Sequence, residues 1–168
     1  GYYNDLEKAF EAVENCTAAD NAQIKLLKDL ENVPAISTWG GVVTLDMNGK
    51  KITAIYTGEP HLISLVRVGD GAGLTVTGNG AIDVPSNGIN VAYMFWKAGT
   101  TGHLTIENGT FVGQTTVASV TKGILSVNGG TFKCTASEYG SAYMFNCVDA
   151  NYKNGTAQIV VKGGTFVG

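Results

Sequence analysis

The chain is short of charge. Only 15% of its 168 residues are Asp, Glu, Lys or Arg, against an ordinary ~25%. Arg67 is the sole arginine, and the net charge is −3. With no basic cluster, a surface built to neutralise nucleic-acid phosphates is excluded. Histidine is almost absent. His61 and His103 have no Cys, Asp or Glu at metal-ligand spacing, so neither a metal site nor a cofactor is expected. The three cysteines, Cys16, Cys134 and Cys147, fit no zinc ribbon and no CxxC motif. No apolar run approaches the ~18 residues needed to cross a bilayer, which argues against membrane insertion. What the chain does have is apolar content, 44%, and 23 glycines against 3 prolines. That apolar fraction excludes a disordered chain. Many glycines with few charges mark strands and turns rather than a helical bundle. The length suits one domain with a real core.

A repeated phrase organises the sequence. Four copies align: Leu74-Thr-Val-Thr-Gly-Asn-Gly-Ala-Ile82, Leu104-Thr-Ile-Glu-Asn-Gly-Thr-Phe111, Leu125-Ser-Val-Asn-Gly-Gly-Thr-Phe132 and Ile159-Val-Val-Lys-Gly-Gly-Thr-Phe166. A more divergent copy is Leu45-Asp-Met-Asn-Gly49, and the starts lie 29, 30, 21 and 34 residues apart. Each copy alternates apolar and polar residues, as in Leu74/Val76 and Leu104/Ile106, which puts one side of a strand in a core. The Asn-Gly or Gly-Gly pair then turns the chain, because those residues tolerate positive φ. The apolar residue after the turn (Ile82, Phe111, Phe132, Phe166) points inward again, and stacked copies give an internal ladder. Units repeating in one direction predict a parallel solenoid of wide coils. Ala92-Tyr-Met-Phe-Trp96 and Ala142-Tyr-Met-Phe-Asn146 would be one face of two different coils. Cys134 and Cys147 fall in consecutive repeats, where a disulfide and two buried thiols both remain open.

The N-terminal segment reads differently. Asn4-Asp-Leu-Glu7 resembles a capping box, with Asn4 as N-cap and Glu7 reaching back. Leu6, Phe10 and Val13 follow at helical spacing, predicting a short helix that ends near Asn15 and covers the open end of the solenoid. Ile24–Leu30 reads as the first strand.

Together these residues resemble the single-stranded right-handed parallel β-helix proteins of the pectate-lyase-like superfamily. The helix, Ile24-Lys-Leu-Leu-Lys-Asp29 and Val43-Thr-Leu-Asp-Met-Asn-Gly-Lys-Lys-Ile52 are similar in order to the opening of β-helical surface and phage-associated proteins of gut bacteria. The resemblance implies an all-β fold, a right-handed parallel β-helix of about five coils with an N-terminal capping α-helix. It spans residues 1–168 as one domain, with 1–22 as cap and lead-in and 23–168 as coils. The last copy stops in mid-motif, so the C-terminal end is expected to be incomplete or covered by a partner.

Enzymes of that superfamily need carboxylates projecting from adjacent coils. Asp46 and Glu107 are the only acids at the second and fourth repeat positions, and they fall two coils apart, roughly 10 Å at ~4.8 Å per coil. Asp70 and Asp83 lie near Gly turns, where Asp is a common turn former, and Arg67 reads as a solvated strand residue or an anion contact. No catalytic residue is assigned. Aromatic residues are the better lead. In Val91-Ala-Tyr-Met-Phe-Trp-Lys97, Lys97 suggests that its own parity faces out, which would expose Tyr93 and Phe95, and Tyr143 and Phe145 in the matching coil. Such a stripe would stack on sugars or bury against another subunit.

The leading expectation is a non-catalytic structural or adhesive module of a phage particle or bacterial cell surface, hence extracellular. Its partners would be other copies of itself or other surface or virion proteins. The alternatives are a glycan-binding domain using Tyr93, Phe95, Tyr143 and Phe145, or a polysaccharide lyase or hydrolase with a site near Asp70, Asp83 or Asp149.

Overall fold

The computed structural model describes residues 1–54, 61–85, 90–135 and 143–168, with the backbone alone at 37–39, 61–63 and 90–91. The strands come in threes. The first three are β1 (Ala22–Lys25), β2 (Leu30–Val33) and β3 (Ile36–Trp39). Then come β4 (Val42–Asp46), β5 (Lys51–Ala54) and β6 (His61–Val68), followed by β7 (Gly73–Thr77), β8 (Ala81–Asp83) and β9 (Asn90–Lys97). The later strands are β10 (His103–Ile106), β11 (Thr110–Gly113), β12 (Thr116–Val120), β13 (Gly123–Val127), β14 (Thr131–Cys134), β15 (Phe145–Cys147), β16 (Ala157–Val161) and β17 (Thr165–Val167).

Every third strand joins the same sheet. The first sheet runs β1-β4-β7-β10-β13-β16, the second β2-β5-β8-β11-β14-β17 and the third β3-β6-β9-β12-β15. Strands within each sheet pair in parallel. The protein is therefore all-β and solenoid-like, as the recurring phrase implied.

Register explains the core. In the first sheet Val43, Leu74, Leu104, Leu125 and Ile159 align across five strands, as do Leu45, Val76, Ile106, Val127 and Val161. In the second sheet Ile52, Ile82, Phe111, Phe132 and Phe166 form one row. This is the expected Ile and Phe ladder, lengthened by one member. Phe111 and Phe132 stack at 5.3 Å between centroids, and Phe132 and Phe166 at 5.5 Å. Parallel strands put like residues above one another, so each ring meets the ring of the next strand at close to the strand spacing.

The divergent copy is placed two residues away from its sequence alignment. Val43, not Leu45, pairs with Leu74, and Asp46 stands opposite Thr77. The sequence alignment matches Gly49 to Gly78, but with Asp46 opposite Thr77 the Asn48-Gly49 pair falls level with Asn79-Gly80, and both asparagines have positive φ, 50° and 51°. A shift of two keeps the inward parity, so the core is unaffected.

The turns need their glycines where strands crowd together. Gly78 has φ +93°, and a Cβ there would lie 2.5 Å from the Asn48 amide nitrogen; Gly102 has φ +96°, and its Cβ would lie 2.1 Å from the Ala72 carbonyl oxygen. Asparagines stitch successive turns. Asn108 Oδ1 accepts from the Asn79 amide at 2.8 Å, and Asn128 Nδ2 donates to Glu107 Oε1 at 3.0 Å.

At the N-terminal end lies α1 (Leu6–Glu11). Its N-cap is Asp5, not Asn4: Asp5 is extended and its Oδ1 accepts from the Glu7 amide at 2.8 Å. That starts the helix one residue later and leaves Glu7 at the second helical position. The helix stops at Glu11, short of Asn15. Leu6, Ala9 and Phe10 are buried in the core cluster. The strand expected over Ile24–Leu30 is two strands. Burial alternates from Ile24 to Leu27 and breaks at Lys28, which is exposed like Leu27 before it, while Asp29 Oδ1 accepts from the Lys51 amide at 2.9 Å and fixes the corner.

At the other end Phe166 is 47% exposed, whereas Phe111 and Phe132 are fully buried. Phe132→Ala is expected to cost about 3–5 kcal/mol, and Phe166→Ala markedly less, because a half-exposed ring loses less on truncation. Denaturant titration of both variants checks the ladder. Equal losses would contradict the placement of Phe132 between two rings.

Candidate functional site

The third sheet carries the aromatic segment, and its register decides which side chains reach solvent. Val66, Phe95, Ala118 and Phe145 form one row; Val68, Lys97, Val120 and Cys147 form the next of the same parity. Both rows face the interior. Phe95 is 0% exposed and meets Phe111 edge-on at 6.0 Å, and Phe145 meets Phe132 edge-on at 5.0 Å. The expected outward parity is therefore reversed for Phe95 and Phe145. Tyr93 is half-buried, and Tyr143 is 56% exposed. The two Tyr-Met-Phe segments do lie on one sheet, two strands apart, since Phe95 and Phe145 both pair with Ala118.

Lys97 caused the reversal. A lysine in an alternating strand suggests solvent, yet Lys97 is 0% exposed. Its aliphatic stem runs along the core row, and Nζ donates to the Gly69 carbonyl at 2.9 Å. Burial pushes its pKa down, partly offset by the charge of Asp70.

The opposite parity provides the outer row: Arg67, Trp96, Ser119 and Asn146. Arg67 and Asn146 are exposed, Trp96 is half-buried and Ser119 is buried. The Arg67 guanidinium carbon sits 4.8 Å above the Trp96 ring. Trp96 Nε1 donates to Thr121 Oγ1 at 2.8 Å, and the Thr121 carbonyl accepts from Asn151 Nδ2 at 2.7 Å. Asn151 belongs to a second helix, α2 (Asp149–Lys153). The Tyr93 ring lies 6.4 Å from Trp96. Trp96 has the parity that the lysine argument turned inward, so sequence reasoning missed it. Leu65, Met94 and Val117 share the sequence parity of Arg67 yet are buried, as are their neighbours Val66, Phe95 and Ala118, so strict alternation does not run through these strands.

The acidic candidates hold the scaffold together. Asp70 Oδ1 accepts from the Thr100 hydroxyl and from the Thr100 and Thr101 amides, which holds its carboxyl below the usual range. Asp83 pairs with Lys51 at 3.2 Å, and Asp46 with Lys25 at 3.7 Å. Asp46 and Glu107 fall two strands apart, and Asp149 opens α2. No group of three or more His, Cys, Asp or Glu side chains is placed to hold a metal among the described residues. His103 is exposed at the start of β10; the side chains of His61 and Trp39, and all of Tyr56, lie outside the described residues. The three cysteines are unbridged and half-buried, and burial raises the thiol pKa of Cys134 and Cys147.

No protein-family model matches the chain, and no curated protein or solved structure matches it either.

Lys97 gives a pH-dependent prediction. Its folded-state pKa lies below the 10.5 ordinary for a lysine side chain, which the unfolded chain keeps, so between the two the unfolded state binds the extra proton. Stability from this group is fully present above 10.5 and is lost as pH falls through the folded value. Lys97→Met is expected to flatten the alkaline rise in stability seen by denaturant titration. An unchanged slope would show that another group causes it.

Proposed function

We propose that the chain is a right-handed parallel β-helix of five coils and part of a sixth, with α1 capping its N-terminal end. In this reading it serves as a non-catalytic structural or adhesive module of a bacterial surface or phage particle. One observation carries the reading: strands stack in parallel through all three sheets, and outward rows such as Thr44, Thr75, Thr105 and Ser126 present hydroxyls rather than grouped acids and bases. Asp46, Asp70, Asp83 and Glu107 are each bound to a neighbouring side chain or turn. A long parallel stack is a stiff spacer, and its flat faces suit repeated weak contacts. Its partners would be other copies of this chain or other surface or virion proteins.

Glycan binding is the second reading. The observation in its favour is the outer row of the third sheet, with Trp96 and Arg67 in contact, and the exposed Tyr143, whose amide donates to the Thr115 carbonyl just before β12. Stacking on sugars requires accessible rings, so Trp96 and Tyr143 take the place of Phe95 and Phe145.

Incubation of the full chain with acidic and neutral polysaccharides tests the non-catalytic assignment. No shortened oligosaccharides are expected. Product release that disappears in Asp70→Asn, Asp83→Asn or Asp149→Asn would replace it with a lyase or hydrolase.

A further inference from the structure

The two ends of the strand stack are stepped in opposite ways. At the C-terminal end the first and second sheets finish with β16 and β17, while the third finishes one strand lower, at β15, among the described residues. Val161 and Phe166 are half-exposed there, although Val127 and Phe132, directly below them in the same rows, are fully buried. At the N-terminal end α1 packs on β3. The segment after α1 lies beneath the corner that follows β3: the Cys16 carbonyl accepts from the Val42 amide at 2.8 Å, just as the Gly41 carbonyl accepts from the Gly73 amide at 3.1 Å one level up. The helix therefore stands where a further strand of the third sheet would stand. It leaves an open groove of about 880 Å³ along β1, lined by Leu6, Ala9, Ile24, Leu26, Leu27 and Leu30.

We propose that copies of this chain stack head to tail, the C-terminal end of one seated on the N-terminal end of the next, with α1 of the next copy filling the step above β15. The inference rests on the structural-module reading and supplies its contact surface. Continuity of the rows gives the register. Val161 ends the row that begins at Ile24, and Phe166 ends the row that begins at Leu30. Stacking sets Val161 beside Ile24 of the next copy and Phe166 beside its Leu30, so the half-exposed side chains gain the cover that their rows have lower down. Backbone polarity agrees. The Lys162 amide donates to the Val127 carbonyl and the Leu26 amide to the Asp46 carbonyl. By alternation, Ile159 and Val161 turn their backbone groups to the open edge of β16, and Gln23 and Lys25 turn theirs to the open edge of β1. Val161 level with Ile24 then falls between Gln23 and Lys25, the stagger that a parallel ladder requires. An unpaired edge of this kind is a template for another strand. The same register sets Lys162 beside Lys25 of the next copy, a like-charge pair at the rim. A contact between two different surfaces does not close at two copies, so the stack grows.

Sedimentation velocity of the full chain over a concentration series tests the arrangement. The average mass is expected to climb past that of a dimer as concentration rises. Leu27→Lys alters the groove at an exposed position, and Val161→Lys alters the opposite end. Each variant alone is expected to stay monomeric. An equimolar mixture of the two is expected to form dimers and nothing larger, because only one compatible pair of ends remains. Should Val161→Lys lower the melting temperature, Lys162→Glu carries the test at an exposed side chain. It turns the repulsion from Lys25 into attraction and is expected to tighten assembly roughly threefold. The proposal is overturned by a monomer at every concentration, by a plateau at the dimer (the mark of tail-to-tail pairing), by a variant mixture that stays monomeric, or by a Lys162→Glu chain that assembles no better. None of these outcomes bears on the non-catalytic assignment, which product release decides separately.

Discussion

The structure depends on one constraint, that strands pair in parallel with their equivalents three strands earlier, in continuous register except where β5 meets β2 and β6 meets β3. Parallel register repeats a residue's environment at the strand spacing. A side chain that suits one strand therefore suits the next, and a wrong one is wrong against two neighbours. The Phe111, Phe132 and Phe166 stack follows directly, with centroids 5.3 and 5.5 Å apart. Phe95 and Phe145 come in from the third sheet at steep angles, 67° and 74°, to the ring each one meets. Two sheets thus share one aromatic core in which stacked and edge-on contacts alternate.

The corners bear the cost of that register. Where strands lie close, a turn passing over the one below leaves no room for a Cβ, as at Gly78 and Gly102. Asparagine side chains and Asp29 satisfy backbone groups that the turns leave over, often in the neighbouring turn. Most of the polar side chains with defined partners are occupied in this way. This is why acids that read as candidate catalysts in a list of residues are parts of the scaffold in three dimensions. Lys97 belongs to the same class. It spends its charge on the Gly69 carbonyl at a corner, and its methylenes on the core.

The outer row of the third sheet is different. Arg67 and Trp96 are not needed to close a turn, and their contact is at the surface. The hydrogen bonds behind Trp96 reach through Thr121 to Asn151, so the short helix α2 contributes to the surface by holding a ring in place. Local features spaced far apart along the chain, at 67, 96, 121 and 151, meet because strand register and corner geometry bring them together.

Much of the fold was legible in the chain itself. A strand–turn–strand phrase with inward Leu, Val and Ile, followed by Ile or Phe after an Asn-Gly or Gly-Gly turn, carries its own periodicity, and a period of two needs no tertiary information. Parallel stacking and the Phe ladder followed from repetition alone. Three things did not. The register of the divergent copy depended on which glycine of Gly78-Asn79-Gly80 answers Gly49, and strand pairing chose Gly80. The helix cap moved from Asn4 to Asp5 because either side chain satisfies the same rule, and only backbone geometry chooses. The facing of Tyr93, Phe95 and Trp96 rested on a single lysine, and a lysine is ambiguous, since its stem is apolar and its tip needs only one acceptor. Alternation fixes that two parities exist. Which of them is inside was settled by packing across the solenoid, where Phe95 meets Phe111 and Lys97 finds the Gly69 carbonyl.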